Sequence, residues 1–290
     1  MPHATSAYLA RQVLGAHAPK VVTTLHGTDV TRVGVDPSYQ SITRFAVAQS
    51  DGLTVPSQFL RGEVYRLLGL PTTTPIDVVA NFVDTQHFCP PVQRERSRLY
   101  SFFPTAAAGS VVLIHVSNFR AVKRVADLMD VLANVRRTVP AYLLLVGDGP
   151  ERGRAAQRAV ELGVADAVCF LGKRSDFVDY LRHADAFVLP SESESFGVAA
   201  LEALSCGVPV FGYAVGGLPE VVTPDVGALV EPFDTEALAA AVVSAITEPA
   251  TREHLSHAAR QRAVSCFQRA PALDRYERLF HRVAGGESRV

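Results

Sequence analysis

The chain has 290 residues, of which 48% are hydrophobic and 20% charged, and its formal net charge is −1 at pH 7. This composition favours a folded protein with room for two domains and argues against a disordered chain. A nearly neutral chain lacks the excess of Lys and Arg that nucleic-acid binding requires, so we expect no nucleic-acid partner. The sequence also shows no transmembrane segment and no signal-peptide pattern, and we therefore expect a cytoplasmic protein.

The four cysteines are scattered along the sequence, with no CxxC pair and no histidine at ligand spacing. Each is expected to be a small buried side chain rather than a disulfide partner or a zinc ligand. No cluster of acidic residues typical of a metal site is evident either. We predict no metal site and no cofactor.

The first third of the chain opens with a helical pattern over residues 1–20. Short runs rich in β-branched residues then predict strands, and two segments of helical spacing, 37–50 and 57–69, lie between them. The predicted strands of this part are 20–27, 51–57 and 76–83.

After a polar stretch over residues 84–109, the same rhythm continues more regularly. Apolar runs of strand length alternate with helical segments or turns, which predicts a parallel sheet covered on both faces. Residues 234–283 predict three successive helices. The five predicted strands are 110–117, 141–149, 167–172, 185–191 and 207–213.

The fold class is therefore α/β, with two Rossmann-like domains built on parallel sheets. We place the first domain at residues 1–105 and the second at 106–270. Residues 271–290 form a C-terminal helix that is expected to return toward the first domain. The first domain opens with a helix instead of a strand and a Gly-rich turn, so it is either unusually small or lacks its first half.

The carboxyl ends of the predicted strands carry polar residues, and open α/β sheets bind their ligands at these ends. A basic cluster that follows the strand at 110–117 suits a diphosphate, because Arg can bind phosphate through two hydrogen bonds. A solvated helix face is the alternative, but cations at a helix N-terminus oppose the helix dipole. Two glycines in the next turn, Gly147 and Gly149, are interpreted as structural. The basic cluster contains Ser117, Asn118, Arg120, Lys123 and Arg124.

Two glutamates follow the strand at 185–191. Glu194 precedes a predicted helix that begins near Gly197, where free backbone N–H groups can bind an anion. Glu194 is also explained as an ordinary acid near a helix N-terminus. Glu202 is not, since it lies among apolar residues inside the helix, where a carboxylate needs partners such as two ribose hydroxyls.

In the first third, the polar residues Thr24, His26, Thr28 and Asp29 lie at or just after the end of the predicted strand 20–27. A histidine at the carboxyl end of a strand suits a functional site, and a structural role is an equal alternative. Arg44 is a lone cation on a largely apolar helix. It could pair with a carboxylate of the protein or of a substrate.

The segment ESFGVAALE, residues 194–202, resembles the E-x7-E signature of the GT4-type retaining glycosyltransferases, which have the GT-B fold. The segments VGDGPE, CGVPV and GGLPEVV accompany that signature. PHATSAYLARQ, VVTTLHGTDVT and HVSNFRAVKRV look most similar to the branch that transfers N-acetylglucosamine (GlcNAc) from UDP-GlcNAc to L-malate in bacillithiol biosynthesis. The resemblance runs from residue 2 to about residue 285.

The resemblance implies a role for each matching residue. Glu202 would bind the uridine ribose and Glu194 the GlcNAc hydroxyls, while Thr24 and Arg44 would contact L-malate. His26 would lie beside the reacting centre, so that His26 and Glu194 are the catalytic candidates. The reaction would retain the anomeric configuration without a metal ion. The remaining donor-binding residues would be Ser117, Asn118, Arg120, Lys123, Ser195, Phe196 and Gly197.

The resemblance also implies that roughly ninety residues, including a Gly-rich first turn, would precede Met1 in a family member. We therefore expect an incomplete first domain, either because the start codon is assigned too late or because the chain is truncated at its N-terminus. A truncated chain would expose an apolar sheet edge. Two alternatives remain open: a GT4 glycosyltransferase with another acceptor, and a catalytically inactive fragment that binds a nucleotide sugar. The oligomeric state is also open, with a homo-oligomer among the expectations.

Overall fold

The computed structural model of the chain describes residues 2–31, 36–95 and 97–285. It divides into two compact units, one comprising Met1–Asn81 with Arg269–Val290 and the other comprising Phe82–Gln268. Each unit contains a parallel β-sheet, which confirms the predicted α/β class. No helix within the described ranges is long and apolar enough to cross a membrane.

The strands of the described residues are β1 (Val22–Thr24), β2 (Gly52–Val55), β3 (Asp77–Val78), β4 (Val111–Ser117), β5 (Ala141–Gly147), β6 (Val168–Gly172), β7 (Ala186–Leu189), β8 (Val210–Tyr213) and β9 (Gly227–Val230). The helices are α1 (Pro2–Leu14), α2 (Thr28–Thr31), α3 (Pro37–Ala48), α4 (Gln58–Leu68), α5 (Ser97–Tyr100), α6 (Asp127–Arg136), α7 (Arg152–Glu161), α8 (Phe177–Leu181), α9 (Val198–Ser205), α10 (Leu218–Val221), α11 (Thr235–Thr247), α12 (Pro249–Cys266) and α13 (Arg269–Ala284). Short 3₁₀ turns occupy Gly15–His17, Ala121–Lys123 and Ala165–Ala167.

The first unit has a three-stranded parallel sheet in the order β1-β2-β3. Helix α4 begins where the Ser57 hydroxyl accepts a hydrogen bond from the Leu60 N–H, and it ends at Gly69 in the left-handed conformation. Both are ordinary helix-capping devices. Apolar side chains from the strands and helices then form one core cluster: Leu25, Val30, Val47, Leu53, Val55, Leu60, Val64, Leu68 and Ile76.

The second unit has a six-stranded parallel sheet in the order β6-β5-β4-β7-β8-β9. The first five residues of β4 are buried, as expected for a parallel strand covered on both faces. The strand order reverses between β4 and β7, and this is the point at which open α/β sheets bind ligands. The sequence analysis missed β9, since that strand has only four residues and three of them are half-buried.

The boundary between the units lies earlier than the predicted 105/106. Residues 82–95 belong to the second unit because side chains of that unit bind their backbone. The Arg260 guanidinium donates to the carbonyl of Phe88 at 3.0 Å, and the Ser205 hydroxyl donates to the same oxygen at 2.6 Å. Arg94 in turn donates to the Gly207 carbonyl at 3.0 Å. These are polar contacts over long sequence separations, which a change in composition along the chain does not reveal.

Helix α13 groups with the first unit, and it packs on the start of β2. A Cβ atom added to Gly52 would lie 2.9 Å from a methyl group of Val283, so the glycine allows the close approach. Leu279 is buried, whereas Leu273 and Phe280 of the same helix are exposed.

All four cysteines are free thiols. Cys206 is buried and Cys266 is exposed, while Cys89 and Cys169 are half-buried. The expectation of four buried side chains is therefore wrong for three of them. The expectation of no disulfide agrees with the free thiols.

Gly147 and Gly149 bring the turn after β5 against the end of β4. A Cβ on Gly147, whose φ is +124°, would lie 1.8 Å from the Ser117 carbonyl oxygen. A Cβ on Gly149 would lie 2.1 Å from the carbonyl oxygen of Asn118. Real Cβ atoms do not approach a carbonyl so closely, which confirms the structural interpretation of both glycines.

We expect Gly149→Ala to lower the melting temperature by about 2–10 °C, because the added methyl group forces the two turns apart. Gly153→Ala is a matched control, since Gly153 lies in α7 and nothing surrounds its added Cβ within 4 Å. That control should melt at the wild-type temperature or slightly above it. Thermal unfolding followed by circular dichroism checks the pair, and equal melting temperatures for both variants would contradict the packing argument.

Candidate functional site

The pairing of β4 with β7 brings two predicted binding segments to the same edge of the sheet. The two strands are parallel, with Leu113 beside Ala186 and Ile114 beside Phe187. The segment after β4 and the segment after β7 therefore begin next to each other, at the carboxyl ends of the two strands. They are also joined directly, because the Glu192 N–H donates to the Val122 carbonyl at 2.8 Å.

An ion pair links these two segments. The Lys123 ammonium donates to the Glu194 carboxylate at 2.6 Å. The side chains are only 23% and 10% exposed, so water screens this pair less than a surface pair. The structure thus brings together a predicted phosphate ligand and a predicted sugar ligand, and in this ligand-free structure each neutralises the other.

Arg124 belongs to the basic cluster in sequence but serves the protein itself. Its guanidinium makes two hydrogen bonds to the Asp127 carboxylate, at 2.9 and 2.8 Å, and lies over the Phe233 ring. The Tyr213 hydroxyl donates to the same carboxylate at 2.9 Å. Burial, together with this carboxylate, raises the pKa of Tyr213 well above its usual range. Two of the three cations predicted for a diphosphate are therefore paired within the protein, Arg124 with Asp127 and Lys123 with Glu194. Only the Arg124 pair involves a carboxylate for which no ligand role was predicted.

Asn118 and Arg120, in contrast, are exposed at the end of β4. Neither side chain has a hydrogen-bond or ion-pair partner among the residues that the structure describes. Between them, Phe119 is fully buried and has a φ of +40°, which is unusual for a residue with a side chain. The turn therefore buries its apolar residue and leaves the two polar residues available to a ligand.

The segment Glu194–Gly197 is held by the turn after β8. The Gly217 N–H donates to the Glu194 carbonyl at 2.8 Å, and a Cβ on Gly216 would lie 1.9 Å from that oxygen. Gly197, with a φ of +99°, forms the N-terminal boundary of α9. The Phe196 ring is buried against Phe267, 5.8 Å between centroids. Only the backbone of Phe196 is thus available for the predicted role at a phosphate.

Ser195, the neighbour of Phe196, is half-buried and has contacts within the protein. The first turn of α9 follows directly, and its free N–H groups form an anion-binding end of the kind predicted. The predicted donor segment Ser195–Gly197 therefore lies at the start of a helix, as the sequence suggested.

Glu202 lies in α9 and has no ion pair among the described residues. Burial raises the pKa of its carboxyl from 4.5 to about 7. The sequence analysis expected partners for a charge at this position. The described part of the chain supplies no ionic partner, and the carboxyl instead holds its proton more tightly. A ligand with hydroxyl groups would provide the missing partners.

His115 is a functional candidate that the sequence analysis missed. It is fully buried in β4, where its Nδ1 lies 2.8 Å from the Val188 carbonyl and its Nε2 lies 2.8 Å from the Ser117 hydroxyl. Burial lowers the pKa of His115 to about 4. The sequence signal was a single polar residue within the apolar run VVLIHV, which a core histidine explains equally well. The Ser117 hydroxyl, which was predicted to contact the donor, forms a hydrogen bond with this histidine instead.

In the first unit, Thr24 is the last residue of β1, and His26 lies two residues beyond it. The Thr54 hydroxyl donates to the Thr24 hydroxyl at 2.8 Å, which fixes Thr24 to the neighbouring strand. His26 is exposed, and its backbone N–H donates to the Asp29 carboxylate at 3.0 Å. The structure thus places both predicted residues at the edge where a ligand is expected.

Arg44 is not brought to that edge. Its guanidinium donates to the Gly69 carbonyl at 3.4 Å, beside the C-terminal end of α4. Because α4 connects two parallel strands, this end lies toward the amino ends of the strands. A cavity of about 550 Å³ confirms the direction, since Leu70 and the strand-opening Gly52 both line it. The predicted pair of Thr24 and Arg44 therefore points to opposite edges of the sheet.

No group of three or more His, Cys, Asp or Glu side chains that could hold a metal ion occurs among the described residues. The ionisable groups of the site are instead the Lys123–Glu194 pair, Glu202 and His115. The Lys123–Glu194 pair and Glu202, together with the exposed Asn118 and Arg120, can bind phosphate and sugar hydroxyl groups.

Comparison with known families gives two matches that cover most of the chain. Residues 99–262 match the family described as "Glycosyl transferases group 1", and residues 1–87 match "Glycosyltransferase Family 4". The first match alone covers more than half of the chain and includes Asn118, Lys123, Glu194 and Glu202.

Curated proteins are similar over much of their length. N-acetyl-alpha-D-glucosaminyl L-malate synthase of Bacillus anthracis is 38% identical over 284 residues, which are 98% of this chain and 73% of that protein. Glycogen synthase of Mycobacterium tuberculosis is 31% identical over 257 residues, 85% of this chain and 59% of that enzyme. D-inositol 3-phosphate glycosyltransferase of Saccharomonospora viridis is 34% identical over 230 residues, 75% and 52% respectively.

Solved structures share the fold. Sucrose-phosphate synthase from Thermosynechococcus elongatus superposes with a TM-score of 0.80 at 24% identity, covering 97% of this chain and 72% of that one. Anabaena Alr3699/HepE in complex with UDP and glucose also gives 0.80, at 20% identity and 95% and 75% coverage. The chain has the GT-B fold, belongs to the GT4 family and is a glycosyltransferase.

Proposed function

We propose that this glycosyltransferase transfers GlcNAc from UDP-GlcNAc to L-malate with retention of the anomeric configuration. The observation that carries the proposal is the similarity to the malate synthase of Bacillus anthracis, which extends over 98% of this chain. The site in the second unit supports the donor half of the proposal. The carboxyl end of β1 in the first unit supports the acceptor half less directly.

The donor diphosphate would lie at the carboxyl ends of β4 and β7. Asn118 and Arg120 are exposed there without partners in the described part of the chain, and the N–H groups of the first turn of α9 face a ligand at the same edge. Lys123 would exchange part of its contact with Glu194 for a phosphate oxygen. Charge-assisted hydrogen bonds of this kind are among the stronger polar contacts in proteins.

The two glutamates would bind hydroxyl groups. When Lys123 turns to the phosphate, the Glu194 carboxylate is freed to accept hydrogen bonds from the GlcNAc hydroxyls. Glu202 lacks an ion-pair partner among the described residues and would accept the two hydroxyls of the uridine ribose. Both carboxylates are half-buried or buried, and burial of a carboxylate costs free energy. Hydrogen bonds from the ligand hydroxyls would offset this cost.

In the proposed reaction, the bond between the anomeric carbon and the β-phosphate oxygen breaks. The malate hydroxyl oxygen forms a bond to that carbon from the same face, and its proton passes to the departing phosphate. The protein would contribute by positioning the substrates and by stabilising the negative charge that develops on UDP. Lys123, Arg120 and the start of α9 supply positive charge and N–H donors for this purpose. We propose that no metal ion is needed.

Thr24 and His26 are the proposed acceptor residues. Thr24 ends β1 and His26 lies two residues beyond it, at the edge where ligands bind in open parallel sheets. Arg44 lies toward the other edge, against Gly69, so we expect its contribution to acceptor binding to be smaller than that of Thr24.

A GT4 transferase with a different acceptor is the second candidate. The similarity to a glycogen synthase and to a D-inositol 3-phosphate glycosyltransferase, at 31% and 34% identity, favours it. The two candidates share the donor site and differ only in the acceptor.

The malate proposal predicts that the purified 290-residue chain forms GlcNAc-malate from UDP-GlcNAc and L-malate, detected by mass spectrometry together with released UDP. D-malate is the matched control and should react more slowly. Thr24→Val should raise the KM for malate about 3–10-fold, because one hydrogen bond to malate is lost. Arg44→Ala should raise this KM by a smaller factor. If UDP-GlcNAc binds but malate never accepts the sugar, the malate proposal is wrong. If the sugar is not transferred to any acceptor tested although UDP-GlcNAc binds, the chain is an inactive binding fragment.

Lys123→Met should weaken UDP binding about 10–100-fold, because a charge-assisted hydrogen bond to phosphate is lost. Isothermal titration calorimetry with UDP measures the change. Lys20→Met is the matched control, since Lys20 lies in the first unit and pairs with Asp51. A Kd for Lys123→Met within twofold of the control value would show that Lys123 does not bind the diphosphate.

The raised pKa of Glu202 predicts how stability depends on pH. In the unfolded chain this carboxyl titrates near 4.5, and in the folded chain near 7. Between these values the unfolded state loses its proton first, so a rising pH destabilises the fold, and the full penalty is present above pH 7. Glu202→Gln removes this penalty. The melting temperature of the variant relative to wild type should therefore rise by about 2–4 °C between pH 5 and pH 8.

Differential scanning fluorimetry at a series of pH values provides this comparison. Glu253→Gln is the control, because Glu253 is exposed on α12 and its replacement should shift the melting temperature equally at both pH values. A difference between Glu202→Gln and wild type that stays constant with pH would contradict the buried-carboxyl account.

A further inference from the structure

A hydrogen-bonded chain runs through the sheet to the turn that carries Asn118 and Arg120. It starts at the Val188 carbonyl in β7, continues through both ring nitrogens of His115 in β4, and reaches the Ser117 hydroxyl. From there the Phe119 backbone N–H donates to the Ser117 hydroxyl oxygen at 3.2 Å. The chain thus links the core of the sheet to the centre of the turn.

The direction of each hydrogen bond follows from the chemistry of the groups. A carbonyl oxygen only accepts, so His115 Nδ1 must carry the proton that is donated to Val188. In the neutral ring, Nε2 is then an acceptor, and the Ser117 hydroxyl donates to it. Since the Ser117 proton points at the histidine, the oxygen lone pairs are left for the Phe119 N–H. Full burial keeps the ring neutral and this order of donors intact.

The chain ends at a backbone conformation that needs support. Phe119 has a φ of +40°, a region that costs free energy for residues with a side chain. The Glu151 N–H donates to the Phe119 carbonyl at 3.0 Å, so both backbone polar groups of this residue are held. This conformation buries the Phe119 ring and leaves Asn118 and Arg120 exposed on either side of it.

We propose that His115 is a positioning residue for the donor diphosphate. It acts through the Ser117 hydroxyl, which holds the Phe119 N–H and thereby orients Asn118 and Arg120. This inference rests on the proposed function, in which these two side chains bind the diphosphate. His115 touches no substrate in this account.

The competing explanation is that His115 only joins β4 to β7. The two ring nitrogens separate the explanations, because the bond from Nδ1 to Val188 joins the strands and the bond at Nε2 supports the turn. An Asn side chain can place its amide nitrogen near the Nδ1 position and keep the first bond. A Gln side chain can place its amide oxygen near the Nε2 position and keep the second.

The experiment compares His115→Asn, His115→Gln and Ser117→Ala with wild type by UDP titration calorimetry, well below each melting temperature. We expect His115→Asn and Ser117→Ala to weaken UDP binding about 3–10-fold, because both remove the hydrogen bond between His115 Nε2 and the Ser117 hydroxyl. His115→Gln should bind UDP within twofold of wild type even where its melting temperature falls as far as that of His115→Asn. The double variant His115→Asn/Ser117→Ala should be no weaker than either single variant, since both remove the same link.

Equal Kd values for His115→Asn and His115→Gln would overturn the inference, and so would Kd values that change in proportion to the melting temperatures of the variants. His115 would then only join β4 to β7. If the His115 variants do not fold, Ser117→Ala decides alone, and a wild-type Kd for that variant overturns the inference. A wild-type chain that does not bind UDP overturns the proposed donor site itself. A wild type that binds UDP, with variants that do not discriminate, overturns only the role of His115.

Discussion

The parallel pairing of β4 with β7 is the constraint on which the site in the second unit depends. The strands that follow β4 and β7 in sequence lie on opposite sides of this pair, so the chain must leave the two strand ends in different directions. That divergence leaves room above the sheet between the turn after β4 and the segment after β7. Lys123 and Glu194 meet at this place, although 70 residues separate them in the chain.

The charged and titratable groups of the site suit an anionic ligand that is rich in hydroxyl groups. Lys123 and Glu194 neutralise each other, Glu202 retains its proton to about pH 7, and His115 is neutral because it is buried. Below about pH 7, none of these groups therefore carries an uncompensated buried charge. The diphosphate of a nucleotide sugar would bind Lys123, and its hydroxyl groups would bind Glu194 and Glu202. Contacts with the ligand would then replace the Lys123–Glu194 ion pair and the proton on Glu202.

The sequence predicted the sheet of the second unit well, because its strands are continuous apolar runs separated by helices. It also predicted that Asn118, Lys123, Glu194 and Glu202 lie at one edge, since all four follow strands of a parallel sheet. Two features could not be read in this way. Arg124 has the same charge as its neighbours, and only its pairing with Asp127 shows that it serves the fold. The importance of His115 depends on what its two ring nitrogens contact, and a single polar residue in an apolar run does not reveal this.

Errors in the first unit and at its boundary have a common origin. Residues 82–95 belong with the second unit because Arg260 and Ser205 bind their backbone carbonyls, and Arg44 lies near Gly69 because of the direction in which α4 runs. Both facts concern contacts between segments far apart in the sequence. Composition and periodicity describe only neighbouring residues, so these contacts had no local signal.

The central claim is that the edge formed by β4 and β7 binds the nucleotide sugar. Amide hydrogen–deuterium exchange with and without UDP tests it most directly, because exchange locates the bound ligand on the backbone without any substitution. The account predicts protection concentrated in residues 117–124 and 194–202, with little change in α7 and α12. Protection confined to other parts of the second unit, or none at saturating UDP, would contradict it.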